Sequence, residues 1–328
     1  MAVIATLFFG FVPMFLFAYI LYWLDRYEKE PLPLLGAVFI WGMVVAAGGA
    51  YILNTMFGIT VFLLTDSEVV SDFATGSLSA PIVEEGLKGM AVLLIFIVFY
   101  REFDSILDGI VYAGIAALGF AATENCIYIW RGFESNGWQG LIELTFLRVI
   151  VVGWQHPVYT SFTGVGLAIA RTNRSLPVKI IAPLAGLGMA MFTHSLHNTL
   201  ASLGDVAACL LLLVLDWSGV FLMFGAILWA LWMEQRSIIK HLREEVQMGI
   251  ISAAHYRTAC SAWAQSFARL TGLMSGRFRA TSRFYQTCAE LAHKKEQLLK
   301  LGQSDGGGAL IQQYRTELAR LAPHAQTS

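Results

Sequence analysis

Residues 79–100 read SAPIVEEGLKGMAVLLIFIVFY. The second half, from Met90 on, is apolar and aromatic, and the whole stretch is long enough to cross a bilayer core, which takes roughly 20 helical residues. Its first half carries Glu84, Glu85 and Lys88. The surroundings decide whether this is a buried helix of a soluble protein or a membrane helix with ionisable groups inside. Six further apolar runs flank it, at about 2–24, 34–57, 106–130, 143–170, 177–203 and 206–233. The expected fold is therefore all-α: a polytopic transmembrane helix bundle of about seven spans. The run from 34 to 64 has room for a break near Asn54, and the one ending at 170 is long enough to be tilted or irregular.

Composition points the same way. Of 328 residues, 56% are hydrophobic and 14% charged, with a mean hydropathy of +0.61; an average soluble domain is about 25% charged. These values exclude a disordered chain, a disulfide-rich secreted module and an ordinary soluble enzyme. The net charge of −1 hides a split: residues 1–233 hold nine Lys and Arg against sixteen Asp and Glu, and residues 234–328 hold thirteen against seven. We expect a transmembrane domain over 1–233 and a basic, helical cytoplasmic tail over 234–328. The tail reads as helices near 234–247, 252–271, 280–301 and 309–321, with Gly306-Gly307-Gly308 as a flexible spacer. A basic helical tail beside a membrane suits anionic headgroups. Cys126, Cys209, Cys260 and Cys288 show no C-x-x-C spacing, so no disulfide framework or cysteine zinc site follows.

Loops rich in Lys and Arg alternate with poor ones. Arg26 and Lys29 follow the first run, Arg101 the third, and Arg171 and Arg174 the fifth, while 58–78 and the turn at Gly204 have none. Arg101 is matched by Arg131 in the next loop. Positive-inside logic puts the N-terminus outside and the tail in the cytoplasm. The N-terminus lacks a basic n-region and its apolar run continues to Leu24, so it reads as a span rather than a cleaved signal.

Ionisable groups inside apolar runs are costly and mark function by default. Here they include Glu84, Glu85, Lys88, Asp108, Glu124, Arg148, His156, His194, His197 and Asp216, beside the amides Asn125 and Asn198. In the orientation above, Glu84, Glu124, His156 and His194 fall roughly 7–14 Å below the outer surface, at 1.5 Å per residue, on four different helices. Glu84 and Lys88 share a face, as do His194 and Asn198. Glu85 points about 100° away from Glu84, so a single one of the two is expected to face the centre. Arg148 reads as an interface anchor, and the depth of His156, eight residues further on, is counted from it. Such a cluster suits water activation. Two adjacent carboxylates in low dielectric resist carrying two charges, Lys88 balances one, and the other is free to act as a general base with a histidine to orient the water. Alternatively Glu124, His156 and His194 hold zinc, a three-ligand set with an open fourth position. Buried Glu and His also relay protons, so a proton- or solute-coupled transporter is the competing reading, although no repeated halves are visible. A scaffold without chemistry is the third.

At these residues the sequence resembles the PrsW family of intramembrane proteases, part of the larger group that includes type II CAAX prenyl proteases and bacteriocin-processing proteins. Asp25-Arg26-Tyr27-Glu28-Lys29-Glu30-Pro31 is similar to the family's D-R-Y-E-x-E-P segment, and Glu84-Glu85-Gly86-Leu87-Lys88 to E-E-x-x-K. Asp108-Gly109-Ile110-Val111-Tyr112 with Phe120 to Asn125 resembles D-G-I-V-Y and F-x-x-x-E-N; His156 resembles the motif histidine of the next helix, and His194 to Asn198 resembles H-x-x-x-N. The resemblance covers roughly residues 15–205; His197 stands where similar sequences more often carry an aromatic residue. It implies peptide-bond hydrolysis in or beside the membrane. Glu84, Glu85, Glu124, His156 and His194 are then catalytic, with Lys88, Asn125 and Asn198 in support. It also implies membrane-anchored substrates of the anti-sigma-factor kind, and either zinc or no cofactor at all. The expected partners are that protein substrate and the lipid bilayer, with no nucleic acid.

Overall fold

A computed structural model describes residues 1–100, 102–301 and 307–327. Arg101 and Gly306, used above for orientation and spacer, lie outside the described residues; Gly307 and Gly308, expected to continue a flexible spacer, instead open a helix, Gly307–Leu321. Every regular element among the described residues is helical: α1 (Ala2–Leu24), α2 (Leu32–Ile40), α3 (Ala47–Thr65), α4 (Glu68–Ala74), α5 (Ala80–Val98), α6 (Ile106–Thr145), α7 (Gln155–Thr172), α8 (Leu176–Leu203) and α9 (Val206–His241). The tail follows with α10 (Arg243–Gln247), α11 (Ala253–Ala259), α12 (Ala262–Met274), α13 (Phe278–Leu301) and α14 (Gly307–Leu321). Three π-helical turns, Trp41–Ala46, Thr75–Ser79 and Phe146–Val151, interrupt the apolar helices. Helix α2 passes through the first of them into α3 with no break at Asn54.

Among the described residues, five stretches are long and apolar enough to cross a membrane: Ala2–Leu24, Leu32–Thr65, Ile106–Thr172, Leu176–Leu203 and Val206–Gln247. The difference from seven runs has two sources. Ile106–Thr172 is 67 residues long and contains two of the runs. Helix α5 is left out because Glu84, Glu85 and Lys88 make it too charged to qualify by apolarity.

The chain divides into two compact units, Met1–Leu24 with Glu30–Ile227, and Asp25–Lys29 with Leu228–Ser328. In the first unit α6 is the centre. Its residues Leu107 to Ala122 are all buried, and α1, α2, α5 and α7 pack around it. A helix apolar on every side belongs inside a bundle. Its start is fixed by a capping box: the Ser105 hydroxyl accepts from Asp108 N at 3.1 Å, and the Asp108 carboxylate accepts from Ser105 N at 2.7 Å. Asp108 is thus a cap, which satisfies orphan amides at a helix start. Helix α6 leaves helical geometry at Asn136 and Gly137, where φ is +58°, and the chain turns back along itself.

Helices α6 and α7 touch backbone to backbone. A Cβ on Gly109 would lie 2.4 Å from the Gly164 carbonyl oxygen, and one on Gly164 would lie 2.0 Å from the Gly109 oxygen. Gly164→Val should therefore force the helices apart and cost at least about 1–3 kcal/mol, the usual overpacking penalty. Thermal unfolding in detergent checks this, with Gly36→Ala, which faces open space, as the neutral comparison.

The second unit has its own core, in which Leu242, Phe284, Tyr285, Leu291 and Leu318 are fully buried and Tyr27 nearly so. Buried Glu245 is paired with Lys295 and Arg315, and Arg283 bridges Glu290 and Glu317. Several of the tail's basic side chains are thus spent on internal pairing, and the tail helices pack as one body.

Candidate active site

Helix α5 supplies Glu84, Glu85 and Lys88 on adjacent turns, and all three are buried. Lys88 is fully enclosed. Its Nζ lies 2.6 Å from Glu85 Oε1, 3.9 Å from Glu84 Oε2 and 3.2 Å from His156 Nδ1. It also sits 4.4 Å from the centre of the Phe120 ring. Both glutamates face the cluster, against the expectation that one would. Neighbouring helices surround this end of α5 closely enough to meet side chains 100° apart: α8 brings His194 to both, and α7 brings Thr160 to Glu85.

Glu85 is saturated, accepting from Lys88, from His194 Nδ1 at 2.9 Å and from the Thr160 hydroxyl at 2.8 Å. A carboxylate partner on Nδ1 fixes the proton there and leaves the Nε2 lone pair of His194 free. That nitrogen lies 3.8 Å from Glu84 Oε2. The Tyr159 ring stacks on His194 with centroids 5.0 Å apart. Glu84 Oε2 is buried and has no hydrogen-bond partner. An orphaned buried oxygen is costly and calls for something to bind it.

The other half of the cluster comes from α6, α7 and the π-helical turn Phe146–Val151. Glu124 Oε2 meets His156 Nε2 at 2.8 Å and the Arg148 guanidinium. An ammonium can only donate, so His156 accepts from Lys88 through Nδ1 and donates to Glu124 through Nε2. Arg148 also donates to Asn125 Oδ1 at 3.1 Å and lies over the Tyr128 ring. The side chains of Glu124 and Arg148 are 18% and 16% exposed, the most open edge of the cluster.

The structure therefore brings Glu84, Glu85, Lys88, Glu124, His156 and His194 into one contiguous group. Among the described residues, ligand atoms of Glu84, His156 and His194 lie within 4.8 Å of one another. Glu124 stands beside that trio, turned onto Arg148. Two imidazoles and a carboxylate are a zinc donor set with a position left open, and the orphaned Glu84 oxygen and His194 Nε2 fit ligand roles; His156 fits one once its Nδ1 gives up the Lys88 ammonium.

Arg148 is not an interface anchor. The turn at Gly137 and the π-helical turn carry it back alongside α6, where it pairs with Glu124. Charge counting was the available signal, because three carboxylates against Lys88 alone leave a deficit that a second cation must fill. Thr160 and Tyr159 carried no such signal. Asn198 works at a distance: its amide donates to the Gly76 carbonyl at 2.8 Å and ties α8 to the π-helical turn before α5. His197 faces α9, where its Nδ1 lies 2.9 Å from Asp216 Oδ2. Asp216 also accepts from the Tyr159 hydroxyl at 3.4 Å.

The family model described as PrsW family intramembrane metalloprotease matches residues 30–232. Among curated proteins, the chain is 31% identical over 140 residues to a protein named Protease PrsW from Geobacillus kaustophilus, covering 43% of this chain and 55% of that relative. It is 30% identical over 169 residues to the Protease PrsW of Oceanobacillus iheyensis, covering 52% and 70%. With the Bacillus subtilis Protease PrsW it shares 31% identity over 129 residues, covering 39% and 56%. The matched stretch thus spans a little over half the length of the Geobacillus protein. No solved structure matches the chain. Residues 233–328 lie beyond the family match.

Proposed function

The chain belongs to the PrsW family of intramembrane metalloproteases, and from that premise we propose that it hydrolyses a peptide bond of a membrane-anchored protein substrate, with the attacking water held at Glu84. The observation that supports this reading is the buried, unpartnered Glu84 Oε2 beside the free Nε2 of His194. Water enters past the more open Glu124–Arg148 edge. Glu84 is the carboxylate with an oxygen to spare, whereas Glu85 and Glu124 are held by cations. It takes the proton of the attacking water and returns it to the leaving amine, the two tasks of a general base and then acid. Glu85 holds His194 in one tautomer. Glu124 does the same for His156 from the opposite side. In a metal mechanism Glu84 would be a ligand and not the base: with the Lys88 ammonium displaced from His156 Nδ1, Glu84, His156 and His194 would hold zinc, which when bound supplies Lewis-acid polarisation and an acidified water.

Cleavage of a single-span substrate in detergent tests the proposal, with and without chelator. Activity that chelator removes and zinc restores assigns the trio to a metal. Chelator-insensitive activity that Glu84→Gln abolishes assigns Glu84 as the base. No cleavage of any membrane-anchored substrate by the intact chain counts against the proposal. A helical amide is shielded by its own hydrogen-bonded turns, so substrates with Gly or Pro near the cut should be preferred. Anti-sigma factors are the substrate class we propose.

The protein is multi-pass. We further propose that its N-terminus is outside and its tail cytoplasmic. A green fluorescent protein fused after residue 328 should fluoresce, and alkaline phosphatase at the same site should be inactive; the opposite pattern reverses the orientation.

A further inference from the structure

The tail unit turns a strongly apolar helix face outward. Helix α12 buries Gln265, Ala268 and Gly272 on one side. On the other it exposes Trp263, Phe267, Leu270 and Met274, by 65, 60, 55 and 85%. These four are spaced i, i+4, i+7 and i+11 and so form a single stripe. A helix at a water-facing surface carries polar residues there, and contiguous exposed apolar patches mark interaction sites. The helix has 13 residues, about 20 Å at 1.5 Å per residue, too short for a hydrocarbon core about 30 Å thick.

Charge identifies what the stripe meets. From Val246 to Ala289 the chain holds five arginines and no Lys, Asp or Glu. Arg257, Arg277 and Arg279 are exposed, and the last two bracket the exposed Phe278 just past the end of α12. A basic rim beside a stripe of Trp, Phe, Leu and Met complements a surface that is negative outside and apolar beneath. The bilayer is within covalent reach, because α9 continues from its apolar run into the tail without a helix break.

We propose that α12 lies in the plane of the bilayer, with Trp263, Phe267, Leu270 and Met274 at the headgroup–acyl boundary and Arg277 and Arg279 on anionic lipid headgroups. The proposal goes beyond proteolysis and stands without it.

The full chain in lipid nanodiscs tests this. With the four native cysteines replaced, nitroxides are placed singly through Trp263→Cys, Phe267→Cys, Leu270→Cys and Met274→Cys, with Gln313→Cys on the exposed side of α14 as the aqueous reference. In phosphatidylcholine with a minority of phosphatidylglycerol, the stripe positions should collide with oxygen over aqueous nickel several-fold more than position 313. That preference should fall in phosphatidylcholine alone and in the Arg277→Gln/Arg279→Gln variant. Nickel access equal to that at 313 overturns the proposal. So do labels closed to both reagents, which would mean that a protein partner or a second copy covers the face. In the chain with its native cysteines, brominated phosphatidylglycerol should quench the emission that Trp263→Phe removes; unquenched Trp263 emission also overturns the proposal.

Discussion

Glu84→Gln should abolish substrate cleavage, lowering the rate by about two to four orders of magnitude, the usual contribution of a positioned acid–base group. The amide has nearly the shape of the carboxylate, so packing is kept. It cannot take a proton, and it is a poor zinc ligand, so the loss is expected under either mechanism. The Glu84 oxygen has no hydrogen bond to lose, and thermal unfolding in detergent should change by less than about 1 kcal/mol. The pairing of these readouts makes the measurement decisive. A variant that is as stable as wild type and cleaves at the wild-type rate would remove Glu84 from the chemistry. Glu124→Gln gives a second contrast. Its oxygen is held by Arg148 and His156, so that substitution should disturb stability as well as rate.

The convergence of Glu84, Glu124 and His194 was legible in the sequence because position along a membrane-spanning helix is nearly linear in residue number; His156 joins them although Arg148, from which its depth was counted, is no interface marker. A rise of 1.5 Å per residue from a recognisable interface places a side chain to within a turn. Rotation about the helix axis was less legible, because it depends on what packs on each side. Glu85 shows this: a wheel drawn for α5 alone turns it away, but α7 and α8 wrap far enough around to bind it. Arg148 shows a second limit. Its place beside Glu124 depends on the reversal at Asn136 and Gly137 and on a π-helical turn, and neither has a periodic signature. The tail shows a third. Most of its helices were readable from their amphipathic spacing, although the run expected as one helix over 252–271 breaks at Cys260 and Ser261 into α11 and α12; the unit also takes in Asp25–Lys29, about 200 residues upstream of Leu228, and no local pattern announces a contact so distant in sequence.

Lys88→Met should destabilise the protein by about 3–5 kcal/mol, the cost of leaving a buried charge without its partner. Lys88 and Glu85 have no solvent-exposed side-chain surface, so water cannot take the place of the missing ammonium. Methionine matches the length of the stem but brings no charge and no donor, so Glu85 would retain only His194 and Thr160. His156 would also lose the donor on its Nδ1, and with it the bond that turns its other nitrogen toward Glu124. The double variant Glu85→Gln/Lys88→Met separates the two effects. It removes both charges, and replacing a buried ion pair by neutral groups is often close to neutral in stability. Most of the lost stability should return. Activity should not, because a glutamine no longer gives His194 Nδ1 a carboxylate and the tautomer that frees Nε2 is no longer enforced. Unfolding of the wild type, both single variants and the double variant in mixed detergent measures the coupling directly. A single variant Lys88→Met as stable as wild type would show that the ammonium does not hold the glutamate pair in place.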